Sequence, residues 1–160
     1  MQSILVPIDC SAATPRVLDL ARQLAKAFHA ELHLVHVREA QPTVPLAPLG
    51  YGALGMPELV PIPVPEAIGQ TSPPNEEEQT KLAQWKQELE RAGLKITLHE
   101  PTGAVVEEIL DRAAAVRADA IVMGRHGHGA MYNLLVGSVT EGVLKRSTWP
   151  VLLVPTFENR

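Results

Sequence analysis

An α/β architecture with a parallel sheet is the fold class this sequence predicts. Three features carry the prediction: short apolar runs recur along the chain, segments with apolar residues at helical spacing lie between them, and the two alternate from end to end. Strands buried on both faces read as near-continuous apolar runs. Strand–helix repetition marks a parallel sheet with right-handed crossovers. With 160 residues, 46% of them hydrophobic, the chain has the length of one domain and can bury a substantial core.

The first strand is Ile4-Leu5-Val6-Pro7-Ile8, ending at Asp9. Pro7 lacks a ladder donor, so pairing is expected to weaken near it. Thr14-Pro15 follows as an N-cap with proline at the first helical position. Val17, Leu20, Ala21, Leu24, Ala27 and Phe28 then form an apolar stripe. A second strand covers Glu31 to Val37. Asn75 caps the next helix, with Glu76, Glu77 and Glu78 in the dipole-favoured first turn. Leu82, Trp85, Leu89 and Ala92 supply its buried stripe, and Gly93 ends it. Leu94 to His99 reads as a third strand, and Val105, Val106, Ile109, Leu110, Ala113 and Val116 as a third helix. Ala120-Ile121-Val122-Met123 is a central strand, Val139 to Lys145 a fourth helix, and Val151-Leu152-Leu153-Val154 the last strand.

Residues 38–75 break the pattern. Nine of the fourteen prolines lie there, a density that excludes a regular helix or a central strand. A connection of this length within one domain spanning 1–160 reads as a functional lid or a flexible insertion.

Charge and cysteine content narrow the function classes. Eighteen acidic against fourteen basic residues give a net charge of −4, which argues against nucleic acid as a partner. No run approaches the ~20 apolar residues of a membrane helix, and Met1-Gln2-Ser3 has no basic head for a signal peptide. The expected setting is cytoplasmic, without membrane insertion. The lone Cys10 has no partner for an internal disulfide.

After the fourth strand comes a glycine-rich stretch, Gly124-Arg125-His126-Gly127-His128-Gly129, and then Gly137-Ser138 opening a helix. Glycines let the backbone approach a ligand and turn successive N–H groups inward. The helix start near Ser138 directs free N–H groups and a positive dipole end at an anion, and the Ser138 hydroxyl can donate once more. A polyphosphate suits this arrangement, although glycine-rich loops also serve as plain turns. There is no G-K-[ST], so it is not a Walker-A loop. Nor does a dinucleotide fingerprint follow the first strand, where Asp9-Cys10-Ser11 stands.

The spacing Gly124-x2-Gly127-x9-Gly137-Ser138 resembles the G-x2-G-x9-G-[ST] signature of ATP-binding universal stress proteins. Ile4-Leu5-Val6-Pro7-Ile8-Asp9-x-Ser11, Leu34-Val35-His36-Val37 and Pro150-Val151-Leu152-Leu153-Val154 resemble that family's other landmarks. The similarity covers the chain apart from the proline-rich segment. It implies a Rossmann-like, five-stranded parallel sheet of order 3-2-1-4-5 with helices on both faces. Ligands then bind where strand order reverses, between strands one and four. By resemblance, Pro7, Ile8 and Asp9 meet the adenosine, with Val37 and Met123 against the adenine. Gly124, Gly127, Gly137, Ser138 and Val139 hold ribose and phosphates, and Arg125 is a further candidate for the phosphates. The implied ligand is ATP or AMP, with Mg²⁺ or Mn²⁺ on the phosphates. The implied assembly is a homodimer through Val151 to Val154, acting on a regulated protein that the residues do not name.

Cys10 stands where the family has glycine. A positive φ there would strain cysteine, and a small buried structural thiol is the expected reading over a redox sensor. Gly142 interrupts the fourth helix at a cost of about 1 kcal/mol relative to alanine. His126 and His128 lack a cysteine or carboxylate partner for a metal and read as exposed loop residues. No serine–histidine–carboxylate order and no loop lysine supports fast phosphate chemistry. Three readings stay open: an ATP-responsive regulatory protein, an AMP or cyclic-AMP sensor, and a nucleotide-independent dimeric module. A slow ATPase or autophosphorylation activity is compatible with the first.

Overall fold

The computed structural model describes residues 1–39, 75–125 and 136–155. Most of the proline-rich segment, together with His126, Gly127, His128 and Gly129, lies outside the described residues. The elements in chain order are β1 (Ser3–Pro7), α1 (Thr14–Phe28), β2 (Glu31–Val35), β3 (Arg38–Glu39), α2 (Glu76–Arg91), β4 (Ile96–His99), β5 (Thr102–Gly103), α3 (Val105–Ala115), β6 (Ala120–Gly124), α4 (Ser138–Arg146) and β7 (Val151–Val154).

Five strands pair in the order β4-β2-β1-β6-β7, all parallel. This is the expected order 3-2-1-4-5. Its central strand explains the apolar run: Ile4, Leu5 and Val6 are all fully buried because helices cover both faces. Ile4 and Val6 join Leu32, Leu34 and Val122 in a core that includes Val17, Leu18 and Ala21 of α1 and Leu82 and Leu89 of α2. Leu5 joins Val35, Ile121 and Met123 in a second core with Ile109 and Ala113 of α3 and Val143 of α4. Each fully buried leucine or isoleucine stabilises the fold by about 1.5–3 kcal/mol.

Pro7 behaves as its chemistry requires. The β1–β2 ladder runs to Pro7↔Val35, whereas the β1–β6 ladder stops at Leu5↔Ile121. The ends of β1 and β6 are therefore not paired with each other at the site, although each keeps its outer neighbour. Asn75 accepts a bond from the Glu77 N–H at 3.1 Å and caps α2. Gly93, at φ 82, turns the chain after α2. There Gly93 N–H donates to Glu90 C=O and Leu94 N–H to Leu89 C=O, the paired bonds of a left-handed C-terminal cap.

Several expectations need correction. Thr14 is the first residue of α1 rather than its cap. Ala13 holds the cap position without a side-chain bond, and Thr14 is buried with its hydroxyl turned to Asp9. Ala27 and Phe28 are exposed, and Ala25 is buried in their place. Ala27 sits 200° around the helix from Ala25, on the solvent side. Phe28 has the right angle, but it ends the helix, and His29 at φ 54 turns the chain back into β2. The second strand ends at Val35, short of Val37, and the third begins at Ile96 because Leu94 belongs to the α2 cap. Arg38 and Glu39, expected in irregular chain, form a two-residue ladder with Thr102 and Gly103.

Gly142 has a packing role. A Cβ there would lie 2.8 Å from Val106 Cγ2, so α4 crosses α3 at a distance only glycine allows. The Glu107–Arg146 ion pair ties the same two helices together.

Candidate functional site

At the carboxyl ends of β1 and β6 the chain leaves the sheet in opposite directions, through α1 toward β2 and through α4 toward β7. Open parallel sheets place their ligand crevice at such a reversal. A cleft of about 580 Å³ lies there. Nine sequence-predicted residues line it: Pro7, Ile8, Asp9, Val37, Met123, Gly124, Gly137, Ser138 and Val139. Arg125 is the exception. It is not among the lining residues, and its backbone instead donates to Val154 C=O and accepts from Gly137 N–H. Gly127 lies outside the described residues.

Asp9 is held by local turn geometry. Its Oδ1 accepts from Ser11 N–H at 3.1 Å and from the Thr14 hydroxyl at 3.3 Å. To close this turn Cys10 takes φ 59, a left-handed conformation that costs a non-glycine residue about 1–2 kcal/mol. The positive φ foreseen for this position is present. Burial first, then the Glu78 and Asp9 carboxylates, push the Cys10 thiol up to about 11. A thiol so held stays protonated near neutral pH and is a poor nucleophile.

His36 and Glu78 also line the cleft, and sequence reasoning passed over both. His36 is buried at the end of β2, its Nδ1 donates to Ile8 C=O at 3.1 Å, and its Nε2 lies 3.6 Å from Glu78 Oε2. The available signal was a lone polar residue inside the apolar run Leu34-Val35-His36-Val37. Glu78 was read only as a dipole-favoured residue, yet the start of α2 brings it to the cleft wall. Buried Thr140 donates to Gly124 C=O at 3.0 Å and ties α4 to the end of β6.

The electrostatics favour an anion at one end. Helices α3 and α4 begin without side-chain caps, and their first turns supply Val105, Ser138 and Val139 to the cleft, whereas at α1 the Thr14 and Arg16 amides are already bonded to the Ser11 and Ala13 carbonyls and Pro15 has no N–H. Uncapped N-termini present N–H donors and a partial positive charge. The carboxylates of Asp9, Glu39 and Glu78 line the remainder. Val37, Val105, Ile109 and Met123, which belong to one packed cluster, give the cleft an apolar lining that suits a flat aromatic ring. Among the described residues, no group of three or more His, Cys, Asp or Glu side chains is placed to hold a metal, and no helix is long and apolar enough to cross a membrane.

Comparison with known proteins agrees with this arrangement. The universal stress protein family model matches residues 1–155. Universal stress protein MJ0531 of Methanocaldococcus jannaschii is 33% identical over 153 residues, covering 96% of this chain and 81% of that protein. The solved structure of MJ0577, from the same organism, superposes with a TM-score of 0.77 at 28% identity, over 99% of this chain and 98% of that one. A universal stress protein solved in complex with cAMP superposes at 0.66 and 25% identity, over 98% of both chains. Matched by the family model over nearly its whole length and by a relative one third identical, the chain belongs to the universal stress protein family.

Proposed function

We propose that the cleft binds an adenine nucleotide, with ATP and Mg²⁺ or Mn²⁺ preferred, and that the protein regulates by occupancy rather than by fast turnover. The observation that carries this reading is the convergence of Asp9, Val37, Met123, Gly124, Gly137 and Ser138, from separate elements, on one cleft at the strand-order reversal. The apolar slot takes adenine, Asp9 takes the ribose, and the start of α4 takes the phosphates. Three lining carboxylates make the cation necessary, because a bare triphosphate would meet them unscreened. No lysine lines the cleft among the described residues, so little there stabilises charge on a leaving phosphate, and turnover is slow. Family membership and a relative solved with cAMP support the adenine.

The cAMP complex of that relative also favours a second reading, a cyclic-nucleotide or AMP sensor. Melting curves with ATP, AMP and cAMP, each with and without Mg²⁺, separate the two. At a hundredfold excess over Kd a ligand stabilises by about 2.7 kcal/mol, a rise of roughly 5–10 °C in Tm for a domain of this size. The largest rise is expected with Mg·ATP. An equal or larger rise with AMP or cAMP replaces the ATP reading with the sensor, and no rise with any of them refutes both.

The assembly proposed is a homodimer through β7. This strand closes one edge of the sheet, and Leu152 is 42% exposed on it. An unpaired apolar edge is a template for a second copy.

A further inference from the structure

Outside the cleft, the strongest unexplained feature is a histidine pair on the sheet face that carries Leu5 and Val35. His33 Nδ1 lies 3.2 Å from His99 Nε2, and the rings stack with centroids 5.4 Å apart. The pair bridges β2 and β4, and the His33 side chain is only 12% exposed. A nitrogen–nitrogen contact of this length needs one N–H and one lone pair. It therefore survives with both rings neutral or with one protonated, and a second proton sets N–H against N–H.

The surroundings compensate that second proton only through Glu31, whose charge favours protonation of both rings but is outweighed by burial. Glu31 is the carboxylate that faces the pair, with Oε1 3.9 Å from His33 Nε2. It is already engaged by Lys95 Nζ at 2.6 Å and the Thr97 hydroxyl at 2.9 Å. Lys95 from the turn before β4 and Arg112 from α3 add positive charge beside His33 and His99 respectively. Burial is the main cause that holds both histidines below their ordinary range. No third ligand is placed to make the pair a metal site among the described residues.

We propose that His33 and His99 form an acid-sensitive latch: double protonation parts the rings, loosens the end of β4 from β2, and slackens the cleft wall that follows. The path to the cleft is short. His99 C=O accepts the His36 N–H at 3.0 Å, and His36 in turn holds Ile8 C=O from inside the cleft. Loss of the β4 end therefore releases a residue that lines the site. The inference rests on the fold and does not depend on which ligand the cleft takes.

Amide hydrogen exchange on the full-length protein, followed by NMR from pH 7.5 to 5.0, tests it. The Leu32 and His36 amides report the β2–β4 ladder through bonds to Lys95 and His99 carbonyls, and the Ile121 amide, bonded to Pro150 on the far side of the sheet, is the reference. Protection factors remove the intrinsic pH dependence of exchange. In the wild type, protection at His36 relative to Ile121 is expected to fall below the ordinary histidine value near 6.5, by up to about tenfold per pH unit for each proton taken up on opening. In His99→Gln the ratio stays flat, and His33→Gln gives the same comparison if the first variant folds poorly. A flat ratio in the wild type, or a fall that persists in both variants, overturns the latch.

Discussion

Replacing Gly142 with alanine should weaken this protein, although the same change in an ordinary helix strengthens it. In a helix interior the substitution stabilises by about 1 kcal/mol. Here the new Cβ would lie 2.8 Å from Val106 Cγ2, with Val106 Cγ1 at 3.5 Å. Ordinary carbon contacts sit near 3.5–4.0 Å, so α3 and α4 must part by roughly 0.7 Å or more. Val106 cannot swing away cheaply, because a β-branched side chain in a helix has one strongly preferred rotamer. Overpacking of this kind costs about 1–3 kcal/mol. The net expectation is a loss of roughly 0–2 kcal/mol, or up to roughly 8 °C in Tm. A double-mutant cycle by urea unfolding isolates the cause. In a Val106→Ala background the clash is gone, and Gly142→Ala should stabilise by about 1 kcal/mol. The substitution also reaches the cleft, because α4 carries Ser138 and Val139 at its start. The gain in Tm from Mg·ATP should shrink in the single variant and recover in the double. A full stabilisation of about 1 kcal/mol in the otherwise wild-type protein, with no coupling in the cycle, would refute the close-packing argument.

Three further outcomes follow from the described geometry. Cys10→Gly should be more stable than Cys10→Ala by about 1 kcal/mol in chemical denaturation, since glycine accepts φ 59 without strain and alanine keeps it; equal stability would show that the turn relaxes. The unfolded thiol ionises near 9.0 and the folded one near 11, so the unfolded chain loses its proton first. The stability contributed by the protonated Cys10 thiol is then full below about pH 9 and declines as pH rises toward 11, and Cys10→Ala should remove that decline in pH-dependent melting curves. Leu152→Lys, placed at the half-exposed edge of β7, should sediment as a monomer at concentrations where the wild type is a dimer, and a wild type that is monomeric at tens of micromolar defeats the edge-pairing proposal.

How much of this was legible in advance depended on the range of the forces involved. Periodicity and local chemistry act within a few residues. The buried run Ile4-Leu5-Val6, the Asn75 cap, the turn at Gly93 and the weakened pairing beyond Pro7 could therefore be read directly from sequence. The spaced glycines and the family resemblance together located the cleft, because strand order fixes which loops meet. Phe28 shows where periodicity fails: its angle on α1 suits the core, but only the packed structure reveals that the helix ends there, leaving it 50% exposed. Gly142 looked like a bare cost until α3 was seen against it. The partners of Asp9, His36 and His33 were harder still, because each depends on what the fold brings alongside. Thr14 reaches Asp9 only because Cys10 adopts φ 59. Glu78 and His36 are distant in sequence and meet only through the placement of α2 beside the cleft. His33 and His99 stand 66 residues apart and meet only through the register that pairs His33 with Thr97. Sequence by itself determined the elements and the glycine-bearing loop, because backbone preference and apolar pattern are local. Tertiary structure alone decided which polar side chains share a proton or a carboxylate, because register and helix placement bring distant residues within bonding distance.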